Sequence, residues 1–254
     1  MTLIVASSLA ETVEAVNEAW FEGRCVAADE RLAAARWIAA RQGLPGSYAG
    51  SFALLPDEAR QGVRLFTGER ATNAGARHIL GQEACRVLRL MKVRDRAVDA
   101  ALATATSNLD ARIGPVRPPS GAGGGAGGSS HWWEPYLGGV YCCGRCSVGY
   151  WRHLSVGGFD DQERRLAVGL RWLKECRKGN GKSQSNGRAP GLWGWRVFPF
   201  WYTLSALMEM DLPAAADEIR YVAPQLERVV RRVPRDDRYA QRRHELAQRA
   251  LARI

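Results

Sequence analysis

The chain has 254 residues, 46% apolar and 24% charged, with a formal net charge of +10. No run approaches the ~20 apolar residues of a membrane span. The start, MTLIVASSLA, lacks the basic region of a signal peptide. Six cysteines in a chain this long do not make a disulfide scaffold, so they are expected reduced, in the cytoplasm. The basic balance suits nucleic acid, an anionic membrane surface or anionic small substrates, and equally an Arg-rich background with no charged partner.

Ser8 and Glu11 have capping-box spacing at the start of a first helix to Glu22, and Leu9, Val13, Val16 and Trp20 recur at helical intervals. A second helix is expected over 28–42, stopped by Gly43 and Pro45. A third spans 56–66, with Pro56 in its first turn. Asn73 is a candidate cap for a helix over 74–91, and another covers 94–113. Nowhere do apolar and polar residues alternate convincingly, so essentially no sheet is expected.

Residues 114–130, GPVRPPSGAGGGAGGSS, suit neither helix nor strand. They divide an N-terminal helical region, 1–113, from a Trp-rich C-terminal helical region, 131–254. They are read as a linker between two domains or a long loop within one continuous domain. Seven of the nine tryptophans fall between Trp132 and Trp201. Further helices are expected over 140–156, from Asp160 or Asp161 to Arg177, and from the GLWGWRVFPFWYTLSALMEM stretch to Asp211. The remainder, 214–254, reads as two or three helices broken or kinked at Pro224 and Pro234. The fold class is all-α: paired helices in an α/α-toroid-like or helical-repeat array.

Gly191, Trp193, Gly194, Thr203, Ala206 and Leu207 follow the outline of a Gly/Trp turn leading into a helix with a small-x-Leu end. On that outline the chain resembles the repeats of the prenyltransferase and squalene-cyclase superfamily over about a third of its length. The resemblance implies an α/α toroid and an aromatic-lined cavity for a hydrophobic, isoprenoid-like ligand. The cyclase DxDD motif is absent, and the nearest match to DDxxD, DDQER at Asp160, ends in Arg164. The prenyltransferase zinc pattern is not recognisable either.

Five sets of residues can carry chemistry. Cys142, Cys143 and Cys146 in YCCGRC include a C-x-x-C, half of a common zinc site. If the segment is helical, Cys142, Cys146 and His153 share a narrow arc, yet Cys146 and His153 stand ~10 Å apart along the axis. The same cysteines also suit close helix packing as small apolar residues. His78, Gln82 and Cys85 share one helix face. His78 is suited to proton transfer or to a core hydrogen bond, and Glu83 lies well round the helix from it.

Trp133, Trp193, Trp195, Trp201 and Tyr202 are candidates for a ligand-binding wall or for hairpin packing. Asp160 and Glu163 have N-cap to N3 spacing and read as caps rather than as a magnesium site. Arginines in the C-terminal tail interleave with acids, as on a solvated helix with local ion pairs. The first functional reading is an enzyme or binding protein for a hydrophobic small molecule, zinc being a candidate cofactor. The alternative is a helical-repeat scaffold that binds protein or nucleic acid.

Overall fold

The computed structural model describes residues 2–116, 136–178 and 194–254. It is all-α apart from one short ribbon. The helices are α1 (Leu9–Phe21), α2 (Ala28–Ala39), α3 (Pro56–Gln61), α4 (Asn73–Met91), α5 (Arg96–Ile113), α6 (Gly144–Leu154), α7 (Gln162–Glu175), α8 (Phe200–Met208), α9 (Pro213–Val230) and α10 (Arg238–Ala252). The ribbon pairs β1 (Val63–Arg64) antiparallel with β2 (Arg70–Ala71). Two-residue strands are too short to show an alternating pattern, which is why the expectation of essentially no sheet missed them. Most of 114–130, with Trp133 and Trp193, lies outside the described residues.

Local chemistry accounts for several helix boundaries. Ser8 caps α1, accepting from the Glu11 N–H at 3.0 Å. The Ser8 N–H expected to meet Glu11 goes instead to the Val5 carbonyl at 2.9 Å, and Glu58 on α3 accepts from Ser8 Oγ and from the Ala10 N–H, both at 2.7 Å. Asp95 caps α5 and Asp237 caps α10, each accepting from two backbone N–H groups. Thr72, not Asn73, is the cap residue of α4. The carboxylate of Asp161, at the N-cap of α7, goes to Arg165 rather than to the helix backbone. Helix α9 runs unbroken through Pro224, so only the Pro234 region separates it from α10.

Five helices follow one another in contact: α1 with α4, α4 with α6, α6 with α8, and α8 with α10. α10 then returns to α1. There Arg242 reaches Glu14 at 3.0 Å and Glu18 at 2.7 Å, and Arg249 donates to the Phe21 carbonyl. In two of these contacts, α4 with α6 and α1 with α10, the residue numbers rise together: Glu83 meets Arg152 while His78 meets Cys146, and Glu14 meets Arg242 while Phe21 meets Arg249. These neighbours therefore run parallel. α5 packs on α2 and α4, α7 on α6 and α9, and α9 on α8 and α10. One hydrophobic cluster includes Leu9, Ile38 and Ile79 as well as Trp151, Leu204 and Leu246, so it draws on both sides of the glycine-rich stretch. Among the described residues, no helix is long and apolar enough to cross a membrane.

Candidate functional site

Charged groups lie in the middle of the α1, α4, α6 and α8 contacts. Glu83 and Arg86 come from α4, Arg152 from α6, Tyr202 and the cap residue Glu209 from α8, and Asn17 from α1. Arg152 Nη1 is 2.6 Å from Glu83 Oε1, and its Nη2 is 2.9 Å from Glu209 Oε1. Arg86 grips the same Glu209 carboxylate from the other side, Nη2 at 2.7 Å and Nε at 3.0 Å. The Tyr202 hydroxyl donates to Glu83, and Arg86 donates to the Asn17 side chain.

Glu83, Arg86, Arg152 and Tyr202 are all buried. Two cations and two carboxylates balance, as buried charges require if they are to remain ionised. Burial alone would raise the Glu209 carboxyl, but the Arg152 and Arg86 guanidiniums outweigh it and hold it below the ordinary carboxylate range. Of the charged side chains in the network only that of Glu209 has appreciable exposure, 24%.

Glu209 is exposed because a cleft of about 400 Å³ opens over it. The wall is apolar: Trp20, Phe21, Phe66, Leu90, Met208 and Leu246. The floor is polar: Arg86, Arg152 and Glu209, with Ser155 and Ser205 beside them. The cleft lies where the C-terminal ends of α1, α4, α6 and α8 meet α10. Trp20 is half exposed there, and the Arg249 guanidinium lies 4.0 Å from the Phe21 ring centroid.

At the opposite, N-terminal ends of α4 and α6 the thiols gather. His78 Nδ1 is 3.3 Å from Cys142 Sγ and 3.7 Å from Cys146 Sγ, and the three ligand atoms lie within 4.8 Å of one another. Cys143 is the N-cap residue of α6. The Cys142 and Cys146 thiols donate to its sulfur, as do the backbone N–H groups of Cys146 and Arg145. Those hydrogen bonds, Cys142's first, hold the Cys143 thiol far below its ordinary range, at about 2. Burial lowers the His78 pKa.

Several sequence expectations are corrected here. The segment 140–143 is a turn, not helix: Cys142 has a left-handed φ of 33°, and α6 begins only at Gly144. Cys142 therefore drops off the helical arc, while Cys146 and His153 both lie on α6 but near its opposite ends. His153 is fully buried at the other end of α6, its Nδ1 2.7 Å from Gln82 Oε1. His78, Gln82 and Cys85 do not line one cavity: His78 joins the thiols, Gln82 joins His153, and Cys85 is buried in the core.

Nor do His78 and Glu83 act on one site. Glu83 is locked into the buried ionic network, while His78 faces sulfur. The expected aromatic wall is also displaced. Trp195 and Tyr202 are fully buried, with Trp195 Nε1 donating to Glu218 at 2.8 Å, and Trp201 packs edge-on against Phe200. Hairpin packing takes these rings, and the cleft is walled by residues of α1, α4, α8 and α10 and by Phe66 instead. Charges within an otherwise apolar stretch, Arg86 in ACRVLRLM and Arg152 in GYWRHL, were the sequence signal for the buried network.

No protein-family model matches the chain, no curated protein matches it, and no solved structure matches it.

Proposed function

We propose that the protein binds a hydrophobic, isoprenoid-like ligand in the cleft over Glu209. The ligand body would lie against Trp20, Phe66, Met208 and Leu246. A polar head would meet Glu209 and the guanidinium N–H groups that Glu209 leaves unused. The observation that carries this reading is an apolar-walled cleft of small-molecule size floored by a buried ionic network. An α/α-toroid-like arrangement belongs to the same proposal. It is supported by five helices in succession, with α10 returning to α1 through Arg242. The cleft then lies at one end of the toroid axis. No reaction is assigned.

The test is calorimetric titration with farnesol and dodecanoate on wild type and on Met208→Arg. The reading expects saturable binding with one site per chain, lost in a Met208→Arg protein that unfolds at the wild-type temperature. Should neither compound bind wild type at its solubility limit, or should Met208→Arg bind equally well, the cleft is not the site. A helical scaffold that binds nucleic acid is the alternative, and its signature would be binding that weakens steeply with salt.

A further inference from the structure

We propose that His78, Cys142, Cys143 and Cys146 hold one zinc ion that ties the start of α4 to the start of α6.

The spacing of the His78, Cys142 and Cys146 donor atoms fits three corners of a tetrahedral site. Zinc–sulfur bonds of about 2.3 Å and zinc–nitrogen bonds of about 2.0 Å place sulfur and nitrogen about 3.6 Å apart on a tetrahedron. The two His78-to-sulfur distances, 3.3 Å and 3.7 Å, straddle that edge. Cys143, the N-cap residue of α6, is adjacent in the chain but is not one of these three mutually close donors, and its side chain would turn in to supply the fourth ligand. Three sulfurs and one imidazole nitrogen complete the four ligands of a closed structural site. Thiolate donors favour zinc over magnesium or calcium.

The backbone around Cys143 is shaped for a bound thiolate. Cys143 is the N-cap residue of α6, where the helix dipole favours negative charge. Cys142 reaches the cluster only through its left-handed backbone. Gly144, between the ligands, is pressed against the chain at 197–198, and a Cβ there would come within 2.3 Å of the Val197 carbonyl oxygen.

Simple packing does not explain the cluster. Cysteine used as a small apolar residue is buried, yet Cys142 and Cys143 are exposed beside a half-buried histidine. The ring of His78 also packs at a tilt against Tyr48, centroids 4.0 Å apart, which restricts its rotation. Among the described residues α4 and α6 are the most extensively packed helix pair. The zinc would fasten them at the end opposite the cleft, so it stands or falls independently of the ligand proposal.

The experiment is elemental analysis of the protein purified without chelator, with cobalt(II) titration of the chelator-stripped chain. About one zinc per chain is expected. Cobalt should give intense thiolate-to-metal charge-transfer absorption and the d–d bands of a tetrahedral site. His78→Ala and Cys146→Ser should lose the zinc, and His78→Cys should keep it. Chelation should lower Tm by about 10 °C in wild type and leave Cys146→Ser unmoved.

Absence of both zinc and a cobalt charge-transfer band in wild type overturns the proposal, whatever the variants do. So does zinc that persists in His78→Ala and Cys146→Ser, or a stoichiometric iron or copper occupant in its place.

Discussion

Arg152 Nη1 lies 2.6 Å from Glu83 Oε1, and both side chains are almost wholly buried. Removing one partner leaves the other charged in the core, which costs about 3–5 kcal/mol. Arg152→Met should therefore lower the urea unfolding free energy by that amount. The double variant Arg152→Met with Glu83→Met should recover a large part of it, since the stranded charge is gone. Two losses that simply add would show that the pair does not act as a unit.

Arg242 closes the succession of helices. It meets Glu14 and Glu18 on α1 and donates to the Phe66 carbonyl. Arg242→Ala is expected to destabilise by about 3 kcal/mol. Its signature should be local: faster amide exchange in α1 and α10, with the α4–α6 contact still protected. Uniform deprotection of all helices at the same rate would contradict a closing role.

His153 supplies a pH dependence. Burial, with the Arg89 and Arg86 charges, pushes its pKa down from 6.5 to about 3. The groups facing it are the Gln82 amide, the Phe159 ring edge and those two guanidiniums. Below 6.5 the unfolded chain takes a proton that the folded chain refuses. Stability is thus fully present above pH 6.5 and is lost as pH falls towards 3. A loss of about 2–4 kcal/mol is expected between pH 7 and pH 4, read from urea midpoints. His153→Gln should flatten that slope, and an unchanged slope in the variant would place the proton elsewhere.

Gly144→Ala tests the turn that presents the thiols. The added methyl meets backbone, the Val197 carbonyl carbon and oxygen, and backbone does not yield as a flexible side chain does. The expected cost is about 1–3 kcal/mol, together with weaker cobalt binding by the cysteine cluster. A variant with wild-type stability and metal affinity would mean that the turn at 197 gives way freely.

Helix identity was legible from local pattern, because capping residues, prolines and apolar spacing act within a few residues. α4 and α5 come within about two residues of the expected bounds for that reason. The turn before α6 was not legible, because a left-handed Cys142 is imposed by tertiary contacts rather than by any glycine or proline. C-x-x-C marked half of the thiol cluster. Its histidine was mistaken, since His153 is near in sequence while His78 arrives from another helix, 64 residues from Cys142. Trp195 and Tyr202 misled for a related reason: aromatic content states that large apolar bodies are present and says nothing of whether they face a cleft or the core. The cleft itself is assembled from the ends of five helices, with no local motif to announce it.

X-ray absorption at the zinc edge of the purified protein tests the metal centre most directly. The account predicts a first shell of three sulfurs at about 2.3 Å and one nitrogen at about 2.0 Å. A shell made wholly of oxygen and nitrogen, or no zinc absorption at all, would contradict it.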